Sequence, residues 1–273
     1  MKLSRANQAN ICNTCGTRFS TAKTNQELCC ICSDDRQFVP PQGQQWITYE
    51  QLAKERNILF SQLQPQLYDL RITPAFAIGQ KAHLVLSPGG NILWDCLPLL
   101  DAQTHAYIQS LGGLKAIAIS HPHFYSLMAE WAEAFDCPIY LHENDREWLK
   151  DSSPHIETFS PERKELWDDI SIVHVGGHFP GSTVLHLPHH GHAGTLLTGD
   201  SILVVQDKNR VTFMYSYPNM IPLPKRDIEQ IWERVKVLKF DTLHAAFKGS
   251  GIEKGAKEVV EKSAKRYLEI FTP

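Results

Sequence analysis

The chain has no apolar stretch that approaches the roughly 20 residues a membrane-spanning helix needs, so no membrane partner is expected. It has little net charge. Its 27 Lys and Arg stand against 30 Asp and Glu, a formal charge of −3. That excludes a global basic field, and no nucleic-acid partner is expected. The first residues, Met1 to Asn10, are polar and lack an apolar signal core, which makes the cytoplasm the expected compartment. Short repeats and low-complexity segments are missing, and no pattern sets an oligomeric state. What is present is ordinary globular composition: 273 residues, 42% hydrophobic and 21% charged, enough for one large domain or two modest ones.

Residues 1–45 are poor in aliphatic side chains and hold most of the seven cysteines. The spacing is Cys12-x2-Cys15-x13-Cys29-x2-Cys32. Each Cys-x-x-Cys turn offers two thiolates to one ion, and two such turns close a tetrahedron, the zinc-ribbon-like pattern of a structural Zn2+ site. Such an ion can hold together a segment too small to bury a core of its own. Cys30 competes with Cys29, but its spacing to Cys32 is wrong for the usual turn. Cys96 and Cys137 stand in apolar surroundings and read as buried, inert thiols. An odd count without a signal core argues against a disulfide framework.

Gln37 to Gln45, with Pro40, Pro41 and Gly43, reads as a linker or a wrap onto the main body. The expected division is therefore 1–45 for the cysteine segment and its linker, and 46–273 for the main domain. A short helix is expected over Trp46–Asn57, with Thr48 as cap and Gln51 three residues on. Strands follow at Leu70–Ile72, Ala75–Ile78, His83–Leu86 and Ile92–Trp94. Then come a helix over Asp101–Leu111, a strand at Lys115–Ile119, a helix over Leu127–Phe135, a strand at Pro138–Leu141 and a short helix over Glu143–Leu149. The second half repeats the habit. Its strands are expected at Ser171–Val175, Thr183–Leu187, Thr195–Thr198, Ile202–Val205, Val211–Met214 and Asp241–Leu243. Its helices run from about Pro224 to Leu238 and from Ile252 to Ile270. Strand runs followed by helices, twice over, imply two packed sheets covered outside by helices.

The apolar run before residue 120 ends in His121-Pro122-His123. In extended backbone, residues i and i+2 point to one side, so both imidazoles can reach one ion. Gly177-His178-Phe179-Pro180-Gly181-Ser182, Thr198-Gly199-Asp200 and His244 follow at later strand ends, and Asp95 closes Leu93-Trp94-Asp95. In order, spacing and placement these motifs resemble the metallo-β-lactamase superfamily over roughly residues 65–273. The resemblance implies an α+β fold, a four-layer αβ/βα sandwich, with the small N-terminal zinc-binding segment as an addition. It implies that His121, His123 and His178 hold a first metal, that Asp200 lies beside it or bridges to a second, and that His244 belongs to the second.

The chain departs from the family's usual His-x-His-x-Asp-His motif, because Tyr125 and Ser126 occupy the last two ligand positions. A neutral phenol or hydroxyl is a poor ligand for a dication at neutral pH. The expectation is one held ion, with a second position incomplete. One Zn2+ with an open position still lowers the pKa of bound water to about 7, which keeps a hydroxide nucleophile available. Asp200 would orient or deprotonate that water, and Tyr125 would donate a hydrogen bond to substrate.

Three functions fit these expectations. The first is a zinc hydrolase of a small molecule with an ester, thioester, amide or lactone carbonyl. The second is a mononuclear non-haem Fe2+ oxidoreductase resembling persulfide dioxygenases, with His121, His178 and Asp200 as ligands and His123 beside them. The third is a catalytically degenerate metal-binding protein that serves as an interaction module. Two further stretches invite readings. His189, His190 and His192 form the densest histidine cluster, expected to be an exposed hairpin turn away from the site. Phe213 to Pro224, aromatic and proline-rich, reads either as a pocket wall or as a rigid connection under the next helix.

Overall fold

The computed structural model describes residues 7–271. The expected cysteine segment is thus described from residue 7 onward, and residues 1–6 and 272–273 lie outside the described range. Two sheets dominate. The first has seven strands in sequence order: β1 (Asn57–Gln64), β2 (Leu67–Thr73), β3 (Lys81–Val85), β4 (Ile92–Trp94), β5 (Ala116–Ala118), β6 (Ile139–His142) and β7 (Ile156–Phe159). Strands β1 to β4 pair antiparallel and β4 to β7 parallel. The second has six: β8 (Arg163–Glu165), β9 (Ser171–His174), β10 (Thr183–Leu187), β11 (Thr195–Leu197), β12 (Thr242–His244) and β13 (Gly251–Ile252). Its β11–β12 pair is parallel and its other pairs are antiparallel.

Alternation along the strands sorts the apolar side chains into three layers of core. In β3, Leu84 points to one side and Val85 to the other. Val85, Trp94 and Ala118 of the first sheet meet Ile172, Leu185 and Leu197 of the second, which is the contact between sheets. Leu84, Leu93 and Ile117 face outward, against Leu52 of α1 (Tyr49–Glu55), Ile108 of α2 (Ala102–Ser110) and Trp131 of α3 (Met128–Phe135). On the far side Val184, Leu196 and Leu243 pack on Ile228 and Ile231 of α4 (Lys225–Val235) and on Val260 and Ala264 of α5 (Ala256–Ile270). The order helix, sheet, sheet, helix is the expected four-layer sandwich.

Local chemistry explains most of the boundaries. Thr48 caps α1 as expected, accepting from the Gln51 N–H while the Gln51 side chain accepts from the Thr48 N–H. Asp101 caps α2 through the Thr104 N–H at 2.7 Å. Two expectations fail. Ala75–Ile78 is a turn rather than a strand, with Ala77 in the left-handed region at φ +53°. The strand Asn57–Gln64 lies where only the end of a helix was expected, because α1 stops at Glu55. As an edge strand it buries neither face fully, so its alternation is weak. The edge strands β7 and β8 escaped notice for the same reason.

The cysteine segment closes with a two-stranded pairing, Ile11–Cys12 against Trp46–Ile47. Its small apolar cluster, with Phe19 and Ile31 between the cysteines and Trp46, is distinct from the three larger layers.

Candidate metal centres

Four thiols meet in the N-terminal segment. Cys12, Cys15, Cys29 and Cys32 are buried, and their sulfur atoms all lie within 4.8 Å of one another. Cys12 and Cys32 Sγ are 3.6 Å apart, and Cys15 and Cys29 Sγ 3.8 Å. A tetrahedron with metal–sulfur arms of about 2.3 Å has edges of about 3.8 Å, so the spacing fits one divalent ion and not a disulfide. Gln44 Nε2 donates to Cys12 Sγ at 3.2 Å, and Gln44 Oε1 accepts from the Cys29 N–H at 3.1 Å. Hydrogen bonding from Cys15, Cys29 and Cys32 holds the Cys12 thiol far below its ordinary value. Cys30 is exposed and stands outside the group.

The second group forms at strand ends. His121 and His123 follow β5, His178 follows β9 and Asp200 follows β11. All four are buried, with candidate ligand atoms within 4.8 Å of one another. The chain reaches this geometry differently from the extended run expected. His121 is extended at φ −171°, but Pro122–Phe124 is a 3-10 turn with the proline at its start. The turn still brings the two imidazoles together, with ring centroids 5.0 Å apart.

Neighbours fix which nitrogen each ring presents. Ser120 Oγ lies 2.9 Å from His121 Nδ1, and the Met214 carbonyl accepts at 3.0 Å from His178 Nδ1. Both Nε2 atoms are thereby turned to the cluster. His121 Nε2 and Asp200 Oδ1 are buried without a hydrogen-bond partner, and His123 turns its Nδ1 to the cluster, 3.3 Å from His178 Nε2. Orphaned buried acceptors are costly, and a cation is what this set lacks. Burial pushes His121 down to about 4 and His178 well below its ordinary value, so the rings are neutral as a metal requires. Burial opposes the charge on Asp200, yet the His121 and His123 rings, 3.4 and 3.9 Å from Oδ2, hold its carboxyl below the usual carboxylate range.

Glycine is required at two neighbouring turns. A methyl on Gly199 would collide with the Ser120 hydroxyl that orients His121. Gly177, at φ +83°, lies 2.9 Å in projected Cβ distance from Ile231 and Leu223.

Comparison with known proteins agrees with this geometry. A model of the metallo-beta-lactamase superfamily matches residues 77–209. The chain belongs to the metallo-beta-lactamase superfamily. It is 45% identical over 262 residues, 95% of each chain, to the Bacillus subtilis (strain 168) protein "Uncharacterized protein YmaE". It is 26% identical over 125 residues, 39% of this chain and 54% of the other, to the "Probable metallo-hydrolase YybB" of the same organism. The crystal structure of the DIM-1 metallo-beta-lactamase superposes with a TM-score of 0.56 at 13% identity, covering 77% of this chain and 98% of that one. At that identity the likeness is one of fold.

Within this superfamily fold, the positions that depart from the usual motif serve another contact. The Tyr125 hydroxyl donates to the Asp145 carbonyl at 3.2 Å, and Tyr125 does not line the cavity that reaches His123 and Asp200. The Ser126 carbonyl accepts from the Arg18 N–H at 3.1 Å. Both residues sit where the cysteine segment meets the main body. His244 ends β12 outside the four-residue group. Its ring is 6.2 Å from that of His83, and burial with nearby Lys81 and Lys208 pushes it down to about 3.

Arg36 carried no sequence signal as a site residue, and Tyr217 stood out only as part of the aromatic stretch 213–224. Arg36 donates from Nε to the His178 carbonyl at 2.6 Å, and its guanidinium lies 4.5 Å from the ring centroids of both Phe179 and Tyr215. Tyr217 donates its hydroxyl to the Asp200 carbonyl at 2.9 Å. With Met214, Tyr217 shows that the stretch 213–224 both walls the cavity and braces the ligands. The histidine-rich turn is split. His189 and His192 are exposed, while His190 is buried and bonded to the Leu86 carbonyl at 3.1 Å.

Proposed function

We propose that this protein is a zinc-dependent hydrolase of a small molecule, acting at His121, His123, His178 and Asp200, with a second, structural zinc in the four-cysteine segment. We further propose the division into a segment of residues 1–45 and a main domain of residues 46–273. The observation that carries the reading is the convergence of three imidazoles and one carboxylate, with orphaned ligand atoms, on a cavity of about 450 Å³. Similarity to a probable metallo-hydrolase supports it. Convergence of all four residues, His123 included, favours the zinc hydrolase over an iron centre built from His121, His178 and Asp200 alone.

A divalent ion held there supplies Lewis acidity toward a carbonyl oxygen and lowers the pKa of water. The protein's own groups do the rest. His121, His123 and His178 hold the charge in place. Asp200, kept ionised and fixed through its carbonyl by Tyr217, would orient the attacking water. The carbonyl of Met214 keeps His178 in one tautomer through the step. Tyr125 serves as a strut to Asp145 in this reading, and His244 as a neutral neighbour of the centre.

The test is metal analysis with turnover. The purified protein should carry about two zinc ions per chain. His121→Ala should lose one of them together with metal-dependent hydrolysis of esters and thioesters, while its circular dichroism is unchanged. Stoichiometric iron after anaerobic purification, or full turnover in His121→Ala, would defeat the proposal.

A further inference from the structure

The cavity over the metal centre is walled by two parts of the chain that are far apart in sequence. Ala77, Ile78, Tyr217, Pro218 and Phe247 come from the main body. Asn13, Thr14, Arg36, Gln37, Phe38 and Pro40 come from the cysteine segment. We propose that the four-cysteine segment is the substrate-selecting wall of this site, and that the wall selects substrates with an extended apolar group beside the reacting carbonyl. The proposal rests on the hydrolase reading above for its reacting centre.

Three observations carry it. The first is anchorage. Arg36 clamps the segment to the His178 carbonyl and is held between Phe179 and Tyr215. Asn219 Nδ2 donates to the Asp35 carbonyl at 2.9 Å and to the Gln37 carbonyl at 3.4 Å. Gln80 Nε2 donates to the Cys15 carbonyl at 3.2 Å. These bonds hold residues 35–37, directly before Phe38, against the main body.

The second is composition. Apart from His123 and Asp200, most of the lining is apolar or aromatic. Phe38, a large aromatic at the edge of the site, is 43% exposed. A ligand covering it would remove apolar surface from water, a favourable change of about 25 cal/mol per Å². The third is the charge pattern. Asp34 accepts from Arg36 Nη1 at 2.8 and 3.0 Å, which neutralises the guanidinium at the wall. Through Phe38 and Pro40 the segment therefore offers apolar contact, beside its polar Asn13, Thr14 and Gln37, rather than a site for an anion.

The experiment uses the full-length, zinc-loaded protein with 4-nitrophenyl acetate, butyrate and hexanoate. Binding of free acetate and hexanoate is measured alongside by calorimetry. In the unaltered protein kcat/KM should rise with acyl length by up to about fourfold per methylene, and hexanoate should bind more tightly than acetate. Phe38→Ala should reduce the hexanoyl-over-acetyl preference about fivefold or more in both measurements, and Phe38→Leu should restore most of it. Turnover of all three esters without a length preference, or a preference intact in Phe38→Ala, would overturn the wall and leave the hydrolase reading standing. Carboxylate binding with a length preference lost in Phe38→Ala, but no turnover of any ester, would uphold the wall and sink the hydrolase reading. Absence of both turnover and length preference would overturn both.

Discussion

Ser120 sits between two demands. Its N–H donates to Asp95 Oδ1 at 2.8 Å, and its hydroxyl meets His121 Nδ1 at 2.9 Å. Asp95 is itself in the left-handed region at φ +62°, buried at the end of β4. The pair sets the ring orientation of His121 before any ion arrives. Ser120→Ala removes the hydroxyl and keeps the backbone bond to Asp95. We expect a loss of about 10–100-fold in metal affinity at the histidine centre, with the four-cysteine centre unchanged. Competition titration with a chromogenic chelator resolves the two sites, and equal weakening of both would refute the assignment.

The cysteine segment is joined to the body through a buried ion pair. Arg18 Nη1 and Glu130 Oε1 are 2.6 Å apart, with side chains 1% and 3% exposed. Arg18 belongs to the segment and Glu130 to α3. Truncating one partner of a buried pair leaves a charge without its counterion, at a cost of about 3–5 kcal/mol. Glu130→Ala should lose stability of that order in urea unfolding; a loss below about 1 kcal/mol, typical of a surface pair, would contradict it. The metal is the segment's other support. Cys12→Ser should release one metal equivalent per chain and expose the Trp46 region to proteolysis, read by limited digestion and mass spectrometry. An unchanged metal count in that variant would remove Cys12 from the ligand set.

Across the whole molecule, burying carboxyl groups makes stability depend on pH. Asp145 is buried beside Gly181, whose N–H donates to Oδ1 at 2.6 Å. Burial pushes its carboxyl up to about 7. An unfolded aspartate titrates near about 3.9. Between those values the folded protein holds a proton that the unfolded chain has released. Stability attributable to Asp145 is therefore complete at acid pH and falls as pH rises through this window, levelling off above about 7. Asp145→Asn keeps an oxygen for the Gly181 N–H and cannot ionise. Its unfolding free energy at about pH 7.5 should stand closer to its value at about pH 5 than in the parent protein. A parallel pH profile in both proteins would show that Asp145 does not titrate in this range.

Much of this molecule was written in local chemistry. The Cys-x2-Cys pairs, the pairing of His121 with His123 and the Gly199-Asp200 corner are short-range patterns that leave few alternatives, although the 3-10 turn that brings the two histidines together replaced the extended run expected. So are the Thr48 cap and the two sets of strands with their helices. The tertiary structure decided the rest. Arg36 and His178 are 142 residues apart in sequence and in direct contact, and no spacing rule reaches that far. Tyr125 and Ser126 could be seen to break a ligand motif, but only packing turned them toward Asp145 and Arg18. The edge strand Asn57–Gln64 became visible only once β2 was beside it, because its backbone bonds, and not its side-chain alternation, hold it. The cysteine segment was legible from the start as a metal-binding unit. That it walls the cavity over the other metal centre depended on where its apolar and charged faces found complementary surface, and complementarity exists only between parts that are already folded.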